Sequence, residues 1–167
     1  MKTILILLIF AVVIVLILNL SGPSGPAEFV KNRTVETYSN LLFNYEIIRY
    51  PSSAEITSAG SLNGSIILGF VTDSWNINFG SVPANGSYVT RSIKLSNIQD
   101  KDASVMLRSY GNVSSLIDFG NNDFFLKPAE NVSVDIFMNS KNFPVGNYSG
   151  EIDVIIKKPI YNFLPIN

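Results

Sequence analysis

The chain has no histidine and no cysteine among its 167 residues. These absences exclude Ser-His-Asp and Cys-His nucleophilic catalysis, histidine general-base chemistry, most zinc sites, iron–sulfur clusters and haem thiolate ligation. They also exclude every disulfide. Charge is sparse: 15% of residues are charged, where a soluble domain carries about 25%. The net charge of −1 provides no basic field, so no nucleic-acid partner is expected. No phosphate-cradling loop is present either, because Gly60, Gly64 and Gly69 are too spread and precede no helical pattern. No cofactor is expected.

Apolar residues, by contrast, make up 47% of the chain, and the excess is concentrated at the amino end. Residues 4–18 are unbroken Ile, Leu, Val, Phe and Ala; Asn19 and Leu20 extend the run, and Ser21-Gly22-Pro23 ends it. Thr3 to Leu20 would make about 27 Å of helix, against roughly 30 Å of hydrocarbon. Lys2 is the only charged side chain before the run, and none follows until Glu28. The positive-inside rule then puts the amino end in the cytoplasm, residues 4–20 in the cell membrane, and the rest outside. A cleaved secretory signal would share this topology up to cleavage. The run is longer than a typical apolar signal core, however, and Pro23 and Pro26 interrupt the small residues at its exit. We therefore expect residues 1–20 to be an uncleaved, single-pass signal anchor. A type IV pilin leader does not fit, since only Met-Lys-Thr precedes the run.

Residues 21–27 (SGPSGPA) read as a short stiff tether. Residues 28–60 are ambiguous. Tyr38, Leu41, Leu42, Tyr45 and Ile48 match a helical face, whereas Phe43, Tyr45 and Ile47 match a strand, which their aromatic and β-branched character favours. From residue 61 to 158 the pattern is one of strands, followed by a tail over 159–167. Val89, Ile93 and Leu95 alternate with Tyr88, Thr90, Ser92 and Lys94. Val132, Val134, Ile136 and Met138 alternate with Asn131, Ser133, Asp135 and Phe137. Tyr148, Ile152, Val154 and Ile156 alternate with Asn147, Glu151, Asp153 and Lys157, and Ala103, Val105 and Leu107 form a shorter version. Such period-2 runs are half-buried strands with the polar face to water. Turn clusters at 83–86, 99–102, 111–112, 120–123, 127–129 and 144–147 separate them. The expected fold is mainly β: one immunoglobulin-like antiparallel β-sandwich after one amino-terminal transmembrane helix. Residues 61–158 alone are expected to fold with reduced stability, with Ile66-Ile-Leu-Gly-Phe70 adding to their core. Trp75, Phe79, Tyr110, Phe119, Phe124 and Phe125 are expected mostly in core or strand positions.

Several segments resemble the ASH/hydin-type and related immunoglobulin-like modules. Asn78-Phe-Gly-Ser-Val-Pro-Ala-Asn-Gly-Ser87 followed by Arg91-Ser-Ile-Lys-Leu-Ser-Asn97 is similar to their opening turn and first long strand. Phe125-Leu-Lys-Pro-Ala-Glu130 resembles their L-x-P-G-E turn, with Ala129 where glycine is usual. Pro144-Val-Gly-Asn-Tyr-Ser-Gly-Glu-Ile152 resembles their lead into the final strand. The resemblance covers about residues 65–157. It implies a sandwich that binds partners or builds envelope layers and filaments, with no shared active site. A membrane-anchored, cysteine-free, asparagine-rich module of this kind is similar to small archaeal envelope proteins.

The Asn-x-Ser/Thr acceptor pattern occurs seven times, at Asn19, Asn32, Asn63, Asn85, Asn112, Asn131 and Asn147. With 18 Asn and 26 Ser plus Thr in the chain, chance expects about three. Asn19 lies at the membrane edge, so six glycosylation candidates remain. Asn63, Asn85 and Asn112 fall in turns, while Asn131 and Asn147 fall on faces that the alternation points to water. Asp118, Asn121 and Asp123 lie close enough in one loop to be a Ca²⁺ candidate, but their spacing is not that of an EF-hand and such clusters are commonly turn formers. No other metal site is expected. Tyr88, Phe137 and Ile155 would face outwards and are interaction candidates. The functional expectation is a non-enzymatic, membrane-anchored extracytoplasmic module with a structural or protein-binding role in the cell envelope. Its partner would be an envelope protein or another copy. The alternative is a surface filament or adhesin subunit in which residues 28–58 pair with a neighbour by strand addition. An envelope hydrolase, the third class, would need a carboxylate pair in a cleft.

Overall fold

The computed structural model describes residues 2–20, 23–58, 75–84 and 86–161. Helix α1 spans Lys2–Leu20, a stretch with no proline, glycine or second charge to stop it. Its described side chains are exposed, from 68% at Ile4 to 41% at Ile14, so the rest of the chain does not cover them. Among the described residues no helix is long and apolar enough to cross a membrane. The described side chains of α1 run only from 2 to 14, about 20 Å of helix.

The other elements are strands: β1 (Thr34–Ser39), β2 (Phe43–Thr57), β3 (Ile77–Pro83), β4 (Tyr88–Ser96), β5 (Ala103–Gly111), β6 (Ile117–Phe119), β7 (Phe124–Leu126), β8 (Asn131–Asn139) and β9 (Gly146–Pro159). A short 3-10 turn at Ser114–Leu116 joins β5 to β6. The larger sheet has the order β1-β2-β9-β5-β7, with β3 also against β2, and the smaller is β4-β8-β6. All pairings are antiparallel except β2 with β3. Within the segment that was ambiguous in sequence, residues 34–39 and 43–57 are strand, and they are not peripheral. β2 pairs with β9 over 14 residue pairs, from Phe43↔Pro159 to Ile56↔Gly146. On its other edge it carries β1 along the first half and β3 along the second. A fragment limited to 61–158 would lack this interior strand, and Ile66–Phe70, expected to help it fold, lie outside the described residues.

The two sheets contribute buried side chains to the same clusters. Ile56 and Ile152 of the larger sheet join Ile136 and Met138 of the smaller. Ile48, Leu107 and Val154 likewise join Leu95 and Val134. In β8 the alternation is as expected, with Val134, Ile136 and Met138 buried and Asn131, Ser133 and Asp135 exposed. In β2 it switches. Phe43, Tyr45 and Ile47 are buried with Ile155 in a third cluster, and the pairing register puts them on the sheet face opposite Ile48, Ala54 and Ile56. Both faces of β9 are therefore covered. This overturns three expectations. Ile155, expected outward, is 5% exposed, and Glu151 and Asp153, assigned to water, are 0% and 2% exposed. Trp75, expected inside, is 64% exposed, because it precedes β3 rather than lying within it.

The turns follow local chemistry. Gly86 adopts φ +91° and Ala129 φ +61°. An L-residue in that region costs roughly 1–2 kcal/mol relative to ordinary backbone. The Ala129 N–H donates to the Asn97 carbonyl at 2.8 Å. The buried Asn97 side chain donates to the carbonyls of Lys101 and Leu126 at 2.7 and 2.9 Å, tying the β4–β5 turn to β7. Tyr148 donates its hydroxyl to the Pro144 carbonyl at 2.8 Å, bracing the lead into β9. At Gly150 a Cβ would sit 1.9 Å from the Tyr110 carbonyl oxygen, so only glycine lets β9 and β5 meet there. Ala129→Gly is expected to raise stability by about 0.5–1 kcal/mol, and Ile152→Ala to lower it by about 2–5 kcal/mol, both measured by urea unfolding. A destabilising Ala129→Gly would contradict the turn, and a neutral Ile152→Ala would contradict the core.

Candidate functional site

The two buried carboxyl groups lie together on the outer face of the larger sheet. Glu151 and Asp153 are two residues apart on β9 and share that face. Register sets Arg49 of β2 and Arg108 of β5 on either side of Asp153. The Arg49 guanidinium lies 3.4 Å from Glu151 Oε1 and 3.1 Å from Glu36 Oε2 of β1. From the other side of the pair, the Val30 N–H donates to Glu151 Oε2 at 2.7 Å.

Val30 belongs to a segment that lies on the sheet. Gly25 sits so close to the Tyr110 ring that a Cβ there would be 2.7 Å from it, and a Cβ on Gly111 would be 3.0 Å from the Phe29 ring. Arg33 stands 5.6 Å from the centre of the Tyr50 ring, a cation–π distance. From Gly25 onward the chain lies against the outer face as a strap. Its Val30 amide closes over Glu151, which is fully buried.

Burial pushes the Asp153 carboxyl up to about 7, helped by the hydrogen bond to Glu151 and by that residue's negative charge, and opposed by Arg49. Two carboxyl groups can hydrogen-bond to each other only while one holds a proton, and Asp153 keeps its own close to neutrality, shared with Glu151 in that bond. Asp153 Oδ1 and Arg49 Nε have no hydrogen-bond partner among the described residues. Burial, followed by the Asp153 charge, also raises the Tyr110 hydroxyl above its ordinary value. A proton-holding carboxyl beside a second carboxyl is the raw material of general acid catalysis. Here both are sealed, however, and what the arrangement does is hold the strap.

The residues singled out in the sequence are dispersed. Asn32, Asn112, Asn131 and Asn147 are exposed, whereas Asn63 and Asn85 lie outside the described residues. Asn112 Oδ1 accepts the Ser149 N–H at 2.6 Å and Asn131 Oδ1 accepts the Ser96 hydroxyl at 2.5 Å. Both bonds leave Nδ2, the atom a glycan would join, pointing away from the contact. Tyr88 and Phe137 share the outer face of the smaller sheet, Tyr88 at 68% exposure and Phe137 half-buried. Ile155 is on the other sheet, so the three interaction candidates do not form one patch. Asp118, Asn121 and Asp123 are exposed, and their loop has a structural explanation. Between them, Asn122 accepts the Leu107 N–H at 2.6 Å and donates back to its carbonyl at 3.1 Å. Among the described residues no group of three or more His, Cys, Asp or Glu could hold a metal. Sequence reasoning missed Arg49, Glu151 and Asp153 because they meet only through tertiary contacts: Arg49 and Val30 reach Glu151 from 102 and 121 positions away.

No family model matches the chain, and no curated protein matches it either.

The Asp153 shift has a definite sign for stability. Its folded value of about 7 lies above the roughly 3.9 of an unfolded chain. Its contribution is thus fully present below about pH 4 and is lost as pH rises through about 7. The urea midpoint should fall between pH 5 and pH 8, and Asp153→Asn should flatten that fall. An equal or steeper fall in the variant would contradict the assignment.

Proposed function

We propose that this protein is a membrane-anchored, extracytoplasmic immunoglobulin-like sandwich of the ASH/hydin-related kind, with a structural or protein-binding role in the cell envelope. The observation that carries the reading is α1, a helix of 19 residues with a single charge at its amino end and large apolar side chains left exposed. At 1.5 Å per residue its full length is about 28 Å, close to the hydrocarbon thickness. A contiguous apolar surface of that kind needs a non-aqueous partner, and a bilayer fits an all-round apolar helix. Lys2, the one charge flanking the helix at its amino end, supports a cytoplasmic amino end.

The strand order supports the sandwich. β4, β8 and β6 take the places of strands B, E and D of an immunoglobulin-like module, and β5 and β9 take C and F. Position G is filled by β2, from the segment preceding the module. Ala129 at φ +61° supports the family resemblance, since this is where related turns carry glycine. The exposed acceptors Asn32, Asn112, Asn131 and Asn147 support an external, glycosylated surface. With its carboxylate pair covered, the module works by display rather than catalysis: confined at the membrane, it offers faces such as that of Tyr88 and Phe137 to a partner.

A second reading, a filament or adhesin subunit built by strand addition, draws on one observation: the G position is filled by a segment joined to β3 through residues 58–76. In a filament a neighbour's β2 would take that place.

Two measurements test these readings. A reporter fused after Asn167 should be active outside the cytoplasm, and the protein should stay with membranes after alkaline carbonate washing. A cytoplasmic carboxyl end, or release by carbonate, contradicts the anchored reading. The detergent-solubilised protein should have the mass of one chain per particle, whereas a concentration-independent polymer would favour the filament.

A further inference from the structure

We infer that residues 25–33 form a strap that opens and closes over the outer face of the larger sheet, fastened by the Glu151–Asp153 pair beneath it. The inference goes beyond the envelope reading and holds whether or not α1 sits in a bilayer.

The geometry sets the strap apart from the strands. Its bond to β9 runs from the Val30 N–H to a carboxylate, not to a backbone carbonyl. Its other described contacts on this face are Gly25 at the Tyr110 ring and Phe29 at Gly111, while at its end Arg33 lies over Tyr50, whose ring packs on the core side of the sheet. A hollow of about 320 Å³ opens beside it, between Phe29, Val30 and Lys31 of the strap and Pro51, Ser149 and Gly150 of the sheet. Water can therefore approach the fastening once the strap shifts, and nothing in the β2–β9 ladder has to break for it to lift.

The charges beneath the strap decide when it lifts. Asp153 faces Glu151 on β9, Arg49 on β2 and, through Arg49, Glu36 on β1. On β5 it faces Arg108 and Tyr110. The strap's own Glu28 and Lys31 are exposed, and Arg33 is engaged with Tyr50. While the pair shares a proton, a single negative charge faces Arg49 and the Val30 amide holds. Loss of that proton leaves two adjacent carboxylates, and Arg49 is already divided between Glu151 and Glu36. The second charge is then stabilised best by water, which enters as the strap leaves. The strap is closed in mild acid and open in mild alkali.

Because the chain has no cysteine, the test is direct. Nitroxide labels on Glu28→Cys in the strap and Lys94→Cys on β4, both exposed positions, report the separation in the full-length protein in detergent. Between pH 5.5 and 8.5 a group titrating at about 7 goes from about 3% to about 97% ionised. The expected result is one narrow distance at pH 5.5 and a broad distribution in most molecules at pH 8.5, with the far-ultraviolet circular dichroism unchanged. Asp153→Asn, and separately Glu151→Gln, which keeps an acceptor for the Val30 N–H, should each stay narrow at both values. The same distribution at both pH values in the parent, broadening of both variants like the parent, or loss of strand signal with the broadening would overturn the proposal.

Discussion

The antiparallel ladder between β2 and β9 is the interaction on which the other features depend. Its 14 residue pairs join a strand from the first third of the chain to one near the end. By lying on β9, β2 delivers Ile48, Ala54 and Ile56 to the core shared with the smaller sheet. On its reverse face it delivers Phe43, Tyr45 and Ile47 to a separate apolar cluster with Ile155. It offers its second edge to β1 and β3 together, and this leaves β9 with hydrogen-bonded neighbours on both sides and cover on both faces. Closing so long a loop costs entropy, but the cost grows only slowly with loop length and is spread over a long ladder.

A strand enclosed on all sides sets strict terms for any polar side chain on it. Glu151 and Asp153 are tolerated on β9 because they share a proton, because Arg49 comes with β2 in the right register, and because the Val30 amide supplies one more donor. Each of these partners is carried by the amino-terminal segment. Removing one while the carboxylates remain buried would leave charge without compensation, which costs more than the pair contributes. The titration of Asp153 and the placement of the strap are thus two views of one constraint.

The elements that were legible in the sequence are those with one face in water. β4 and β8 show the expected alternation because one side of each lies on the core and the other faces water, and β5 shows it over Ala103–Leu107. The turn at Ala129 was legible through its motif, and Tyr148 through the need of a partly buried hydroxyl for a backbone partner. The failures lie in β2 and β9. A strand buried on both faces loses the polar–apolar contrast that periodicity reads, and the switch at Ile47–Ile48 lets β2 match a helix and a strand alike. The sequence around Glu151-Ile-Asp153 alternates well, and the inner residues were assigned correctly. What alternation does not encode is that a strap from residues 25–33 covers the polar side. The site was invisible for that reason: its parts are ordinary surface residues until tertiary contacts seal them.

If β2 is an integral strand of this module, it has to be required for folding and has to act through its own ladder. The most direct measurement compares urea unfolding of residues 23–167 with that of a chain beginning at residue 58, alone and with a peptide spanning 43–57. The account predicts a cooperative transition for the first, none for the shortened chain alone, and its return when the peptide is added. A shortened chain that unfolds cooperatively as a monomer without the peptide, at a midpoint close to that of the longer chain, would contradict it.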